Sequence, residues 1–177
     1  MESDKVEILS GVFEGKTTGT PIAMMVRSEK AEPQFYEPLK KAFRPGHADY
    51  TYFKKFGFRD HRGGGRASGR ETVGRVAAGA VAKKVLAQHS IRIIGYVKQI
   101  SNVVAEKIDY EEIERNPVRC PDKEKAAEME KLIMDVRAKA DSIGGVVEIV
   151  AKNVPPGLGE PVFDKISADI AKAMMSI

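Results

Sequence analysis

Two apolar runs near the start, Val6 to Phe13 (VEILSGVF) and Pro21 to Val26 (PIAMMV), predict short strands on either side of EGKTTGT. That Gly- and Thr-rich segment reads as a plain hairpin loop. Ser28 to Lys41 is polar and carries Pro33 and Pro38, which predicts a mostly irregular connection. From about Ser68 to Gln88 the chain is rich in alanine. Val73, Val76, Ala77, Ala80, Val81 and Val85 recur there at spacings of three and four, the period of a helix with one buried, closely packed face. Gly69, Gly74 and Gly79 follow at intervals of five, so they do not share a face. Each weakens a helix relative to alanine, and close approach of a neighbouring element is the expected reason for them.

Ile91 to Val104 (IRIIGYVKQISNVV) is rich in β-formers and predicts one strand, or two with a bend at Gly95. Tyr110 to Arg115 predicts a short acidic helix closed by Asn116-Pro117. Asp122 to Asp141 predicts an amphipathic helix, with Asp122 as N-cap and Ala126, Met129, Ile133 and Val136 as its apolar stripe. Its lysines and glutamates read as a solvated face. Gly144-Gly145 leads into a strand, VVEIVA, and NVPPGLGEP reads as a loop. Asp164 to Ser176 predicts a helix with Ile166, Ile170, Ala173 and Met174 turned inward. This order of strands and helices fits an α+β chain, and no linker stretch divides it.

At 177 residues the chain can hold one domain with a core, or a piece of a larger one. With 42% hydrophobic and 31% charged residues, the composition is that of a soluble globular protein. No apolar run approaches a membrane span, and MESDKVEIL lacks a signal-peptide core. The single cysteine, Cys120, precludes an internal disulfide, fits a reducing cytoplasm and reads as an ordinary small side chain before Pro121.

Charge changes the picture more. The net charge is only +4, yet Arg44 to Arg75 holds eight Lys or Arg against Asp49, Asp60 and Glu71, a local +5. The same stretch contains Gly63-Gly64-Gly65 and a predicted helix start. Bare backbone N–H groups, a helix dipole and guanidinium donors together suit a small, multiply anionic ligand. GGGRASGRET matches neither the Walker pattern nor GxGxxG, so a flexible loop with solvated arginines stands beside that reading.

Pro45-Gly46 forces a turn just before His47. His47 reads equally as a proton donor or acceptor and as a turn histidine bonded to backbone. His61 reads as a loop histidine and His89 as a cap on the long helix. Three scattered histidines and one cysteine give no metal-ligand spacing. A different class, a non-catalytic nucleic-acid or nucleotide-binding module, draws on the same basic segment and on Tyr50, Tyr52, Phe53, Phe56 and Phe58 as stacking surfaces. Core packing is the preferred reading of those rings.

RPGHADYTYFKKFGFRD followed by GGGRASGRETVGRVAAGAVAKK resembles the central segment of chorismate synthases. The likeness continues in LSGVFEGKTTGTPIAM (Leu9–Met24) and in DSIGGVVEIVAKNVPPGLGEPVFDKISADIAKAMMSI (Asp141–Ile177). The resemblance implies a flavin-dependent lyase that ends the shikimate pathway. Its reaction is the 1,4-anti elimination of phosphate from 5-enolpyruvylshikimate 3-phosphate, which gives chorismate. Reduced FMN is required without net redox change, and NADPH is a candidate reductant.

By the same resemblance His47 is one of two catalytic histidines, placed to protonate the reduced flavin. Arg66, Ala67 and Ser68 fall at the flavin, and Arg44 and Arg70 fall toward the substrate. The family segment is usually RSSARE, so Ala67 stands where serine is usual and Gly69 where alanine is. The implied fold is a β-α-β sandwich of sheets around a helical layer, built from two similar halves. The implied assembly is a cytoplasmic homotetramer acting on a small molecule, with no nucleic-acid or membrane partner. Family members open with a GESHG segment carrying the second histidine and continue with further flavin contacts. Residues 1–177 are therefore expected to form a single partial domain, the central portion, with little or no activity by itself.

Overall fold

The computed structural model describes residues 4–28, 33–62 and 68–177. Strand β1 (Val6–Ile8) leads to Gly11, whose positive φ of 82° turns the chain into β2 (Val12–Phe13). Glu14 and Gly15 both take positive φ, the two-residue turn that matches strand twist, so β2 pairs antiparallel with β3 (Lys16–Thr17). β4 (Met24–Val26) then returns antiparallel to β1, with Val6 opposite Val26 and Ile8 opposite Met24. VEILSGVF is thus two strands rather than one, because Gly11 breaks it, and EGKTTGT is not a plain hairpin loop, because the Glu14-Gly15 turn lets Lys16–Thr17 pair back on β2.

Gly11 has no room for a side chain. A Cβ there would sit 2.7 Å from the Pro21 carbonyl oxygen and 2.8 Å from Ile22 Cα, on a backbone that already disfavours L-residues. Gly11→Ala is expected to cost about 2 kcal/mol or more, read as a lower urea midpoint for the β1–β4 amides in hydrogen exchange. An unchanged midpoint would contradict the packing described.

Pro33–Lys41 forms a 3-10 helix where an irregular connection was expected. Pro33 opens the run, where a missing N–H costs nothing, and proline's restricted φ suits a helical turn. α1 (Asp49–Phe56) stops at Gly57, which takes φ 79° and donates its N–H to the Phe53 carbonyl. The aromatic rings are not core. Tyr50, Phe53 and Phe56 are largely exposed, since one short helix spreads them over several faces, and Phe58, beyond the helix end, is exposed too. They pack on one another instead: Phe43 lies 5.5 Å from both Tyr50 and Phe53, and Tyr52 lies 5.6 Å from Phe56.

A 3-10 turn at Gly69–Glu71 runs into α2 (Thr72–Gln88). Its expected buried face is not found: no α2 residue is fully buried, and Val76 is 71% exposed. Alanine and valine side chains cover little area, and β1 and β4 leave grooves beside the helix rather than closing on it. The expected neighbour of the glycines is missing too. A Cβ added at Gly69, Gly74 or Gly79 meets no described atom within 4 Å.

The chain divides into two compact units, residues 1–82 with 170–177, and residues 83–169. In the second, β5 (Arg92–Ile100) runs unbroken through Gly95, turns at Ser101 and pairs with β6 (Val103–Val104). α3 (Lys123–Ala138) follows a 3-10 turn at Ile113–Arg115, and β7 (Gly145–Lys152) completes an antiparallel sheet in the order β6-β5-β7. Asp122 caps α3 as expected, and Ala126 and Met129 are buried from its predicted stripe. Tyr96 and Glu148 face each other across β5 and β7, and the Tyr96 hydroxyl donates to Glu148. That bond, together with burial, pushes its pKa up to about 12. The core joins Ala105, Cys120, Ala126 and Met129.

β8 (Gly159–Glu160) and β9 (Asp164–Lys165) form a small hairpin before α4 (Ile166–Met174). Ile166, Ile170 and Met174 were expected inward but are about half exposed, because no described element lies over that face. Among the described residues no helix is long and apolar enough to cross a membrane.

Candidate active site

The loop from Arg44 to Asp49 is shaped by one buried carboxylate. Asp49, 2% exposed, accepts the Arg44 backbone N–H at 3.1 Å, its Nε at 2.9 Å and an Nη2 hydrogen at 3.1 Å. Arg59 Nη1 lies 3.7 Å from the same carboxylate. The Arg59 guanidinium also donates to the carbonyls of Leu39 and Ala42 and stacks 5.2 Å from the Phe43 ring. Two guanidiniums against one carboxylate leave a positive charge in excess. The Arg44 hydrogen bond above all holds the Asp49 carboxyl down at about 2, against the opposing effect of burial. Asp49 in turn raises Arg44 above its ordinary value, chiefly through that side-chain bond.

Asp49 uses two of the five guanidinium N–H groups of Arg44, whose Cζ lies 5.7 Å from the Tyr36 ring centre, and among the described residues another edge remains for a second anion. His47 rides the same loop. Its backbone N–H donates to the Arg44 carbonyl at 3.4 Å, and Nδ1 lies 3.1 Å from the Pro45 carbonyl. A carbonyl only accepts, so that bond requires the proton on Nδ1. Nε2 of the exposed ring is then the nitrogen open to exchange a proton. The bond to the Pro45 carbonyl fits the reading of His47 as a turn histidine.

The second group lies at the start of α2. Ser68 is an N-cap whose Oγ accepts the Arg70 N–H at 3.2 Å, which satisfies a donor of the turn and keeps its own hydroxyl proton available. An Arg70 Nη2 hydrogen meets Asp4 Oδ1 at 2.8 Å and the Arg27 carbonyl at 3.2 Å. Asp4, Arg70 and Thr72 rim a cleft of about 400 Å³ whose wall is Val6, Val73, Val76, Ala77 and Ala80. Arg44 and His47 share one loop, and Ser68 and Arg70 share one turn. Arg66 and Ala67 lie outside the described residues.

Sequence reasoning weighed Asp49 only as a charge and overlooked Asp4 and Arg59 as partners. The available signal was an aspartate five residues after Arg44 at a helix start, a position suited to fold back on the turn. His61 Nε2 lies 3.4 Å from Glu37 Oε1, in keeping with a loop residue.

Fold and site define an α+β protein with one arginine beside a turn-borne histidine and another at a capped helix start. A model of the chorismate synthase family matches residues 1–177. The chain is 60% identical over 176 residues to the chorismate synthase of Roseiflexus castenholzii, covering 99% of this chain and 49% of that protein. It is 54% identical over 180 residues to that of Methanosarcina mazei, again covering 99% and 49%. A crystal structure of a chorismate synthase superposes with a TM-score of 0.80 at 38% identity, covering 97% of this chain and 52% of that one. The chain belongs to the chorismate synthase family. It spans about half the length of the curated relatives it matches.

Proposed function

We propose that this chain supplies part of the active site of an FMN-dependent lyase that eliminates phosphate from 5-enolpyruvylshikimate 3-phosphate to give chorismate. The observation that carries the reading is the Arg44–Asp49 loop, which presents a guanidinium edge and an exposed imidazole together, in a chain that the family model matches throughout. The substrate has two carboxylates and a phosphate, and a flavin mononucleotide adds another phosphate. An excess of arginine is what such a ligand set requires.

The residues present fit the cofactor. The cleft beside α2 offers an apolar wall for a ring system and a cation at its rim, and the capped turn offers a hydroxyl. Ser68, with Arg66 and Ala67, would hold the flavin. When bound, reduced FMN supplies the electron movement that lets phosphate leave without net redox change. Arg44 and Arg70 hold the substrate anions, and their charge stabilises the departing phosphate. His47 keeps Nδ1–H on the Pro45 carbonyl, takes up a proton at Nε2 and delivers it within the site. NADPH as reductant, a cytoplasmic setting and assembly as a homotetramer complete the proposal.

The test is titration of the chain with oxidised and then reduced FMN, with and without substrate, followed by flavin absorbance. Binding is expected to tighten with substrate and to weaken at least about tenfold in Arg66→Ala, the loss of one charge-assisted contact. A folded chain that leaves the flavin spectrum unchanged under every condition would overturn the cofactor assignment.

A further inference from the structure

We infer that Asp49 is a positioning residue: its buried carboxylate clamps the Arg44–Asp49 loop shut and sets the directions in which Arg44 and His47 meet a ligand. The inference rests on the proposed function for what that ligand is. The clamp itself rests on geometry.

Three bonds converge on Asp49 from one residue, through the backbone N–H, Nε and Nη2 of Arg44. The first fixes the backbone where the loop begins, and the other two fix the plane of the guanidinium. The loop closes on itself, because Asp49 is also the first residue of α1. Between those fixed ends lie Pro45, with its restricted φ, and Gly46, at φ 71°. His47 is held by its own N–H to the Arg44 carbonyl and by Nδ1 on the Pro45 carbonyl. Each anchor of the histidine is therefore a carbonyl of the segment that Asp49 holds. Arg59 backs the carboxylate from the other side and is tied to Leu39 and Ala42. Movement of the carboxylate by one methylene would turn the Arg44 edge and the imidazole together.

Charge compensation and positioning make different demands. A glutamate at position 49 keeps the charge between the two arginines but moves the oxygens. Under positioning, Asp49→Glu retains the fold and loses ligand binding. Under compensation alone it retains both.

The experiment follows the His47 ring and Arg44 side-chain signals by NMR while 5-enolpyruvylshikimate 3-phosphate is added to the wild-type chain, Asp49→Glu and Asp49→Asn. Backbone amide signals of α1 and β4 report folding separately. The wild type is expected to shift at both residues. The variants are expected to bind about 10- to 100-fold more weakly, with α1 intact and with the His47 Nδ1–H signal altered before any ligand is added. Equal affinity in a folded Asp49→Glu would overturn the inference and leave the functional reading standing. A wild type whose His47 and Arg44 signals ignore the substrate would overturn that reading and the inference with it. Loss of α1 in both variants would make Asp49 a residue of the fold rather than of the site, and the inference would fail.

Discussion

Asp122→Ala is expected to destabilise the 83–169 unit by about 3 kcal/mol or more. Asp122 is 3% exposed, and its two oxygens accept four backbone N–H groups. Oδ2 takes those of Glu106 at 3.1 Å and Lys107 at 2.9 Å, and Oδ1 takes those of Glu124 at 3.1 Å and Lys125 at 3.2 Å. One side chain therefore caps α3 and ties the segment after β6 to the same helix start. Alanine removes the cap and leaves four amides to find other acceptors in a partly buried place. The effect is best read as loss of hydrogen-exchange protection across β5, β7 and α3. A change below about 0.5 kcal/mol, the scatter of ordinary surface substitutions, would contradict it.

The same carboxylate gives the prediction an acid limb. Burial pushes the Asp122 pKa up, but the four amide bonds outweigh it, and the group titrates below its ordinary value. A depressed carboxylate stabilises the fold above its unfolded pKa, about 3.9, and that contribution is lost as pH falls through the folded value. Asp49 behaves alike in the other unit, with a window from about 3.9 down to about 2. Stability should thus fall with acid from about pH 4 in both units. In Asp122→Ala the dependence should flatten in the 83–169 unit alone.

Met129→Ala is expected to cost about 3 kcal/mol in the same unit. Met129 is fully buried, and the residues joined with it, Ala105, Cys120 and Ala126, are small. It fills the space among them and is packed by the half-buried Val97, Ile100, Val103 and Val118. Neighbours this short cannot collapse into the cavity, so the loss should sit above the lower end for a buried methionine. Met129→Leu, close in volume, should recover most of the stability. Denaturation monitored at β5 amides distinguishes the two substitutions. Equal midpoints for wild type and Met129→Ala would show the site to be compliant. Because Asp122 and Met129 serve the same helix, their double mutant should fall short of the sum of the two losses.

Local chemistry was the most legible part of this sequence. Asp122 at the head of a charged stretch marked a helix start, the Gly- and Thr-rich EGKTTGT marked a chain reversal, and Pro45-Gly46 marked the bend before His47. Each depends on the residue's own backbone or cap preference, which a sequence carries directly. The period of α2 was legible as a helix, but what lies against its apolar face was not. A stripe of valine and alanine predicts a surface that seeks burial without naming what covers it, and α4 repeats the point. In the site, Arg44 and Arg70 stood out as cations, while the carboxylates that orient them, Asp49 and Asp4, did not. Pairing over five residues through a turn, or over sixty-six through a strand, has no period to reveal it.

Cys120 is the only cysteine in the sequence, and its side chain is wholly enclosed. Burial pushes its thiol pKa up, so little reactive thiolate exists in the closed state at neutral pH. A thiol-directed dye can label this chain only when the region around α3 opens. The rate of labelling is then a clock for that opening, built in without any added probe. It would time ligand effects on one unit while remaining blind to the loop that carries His47.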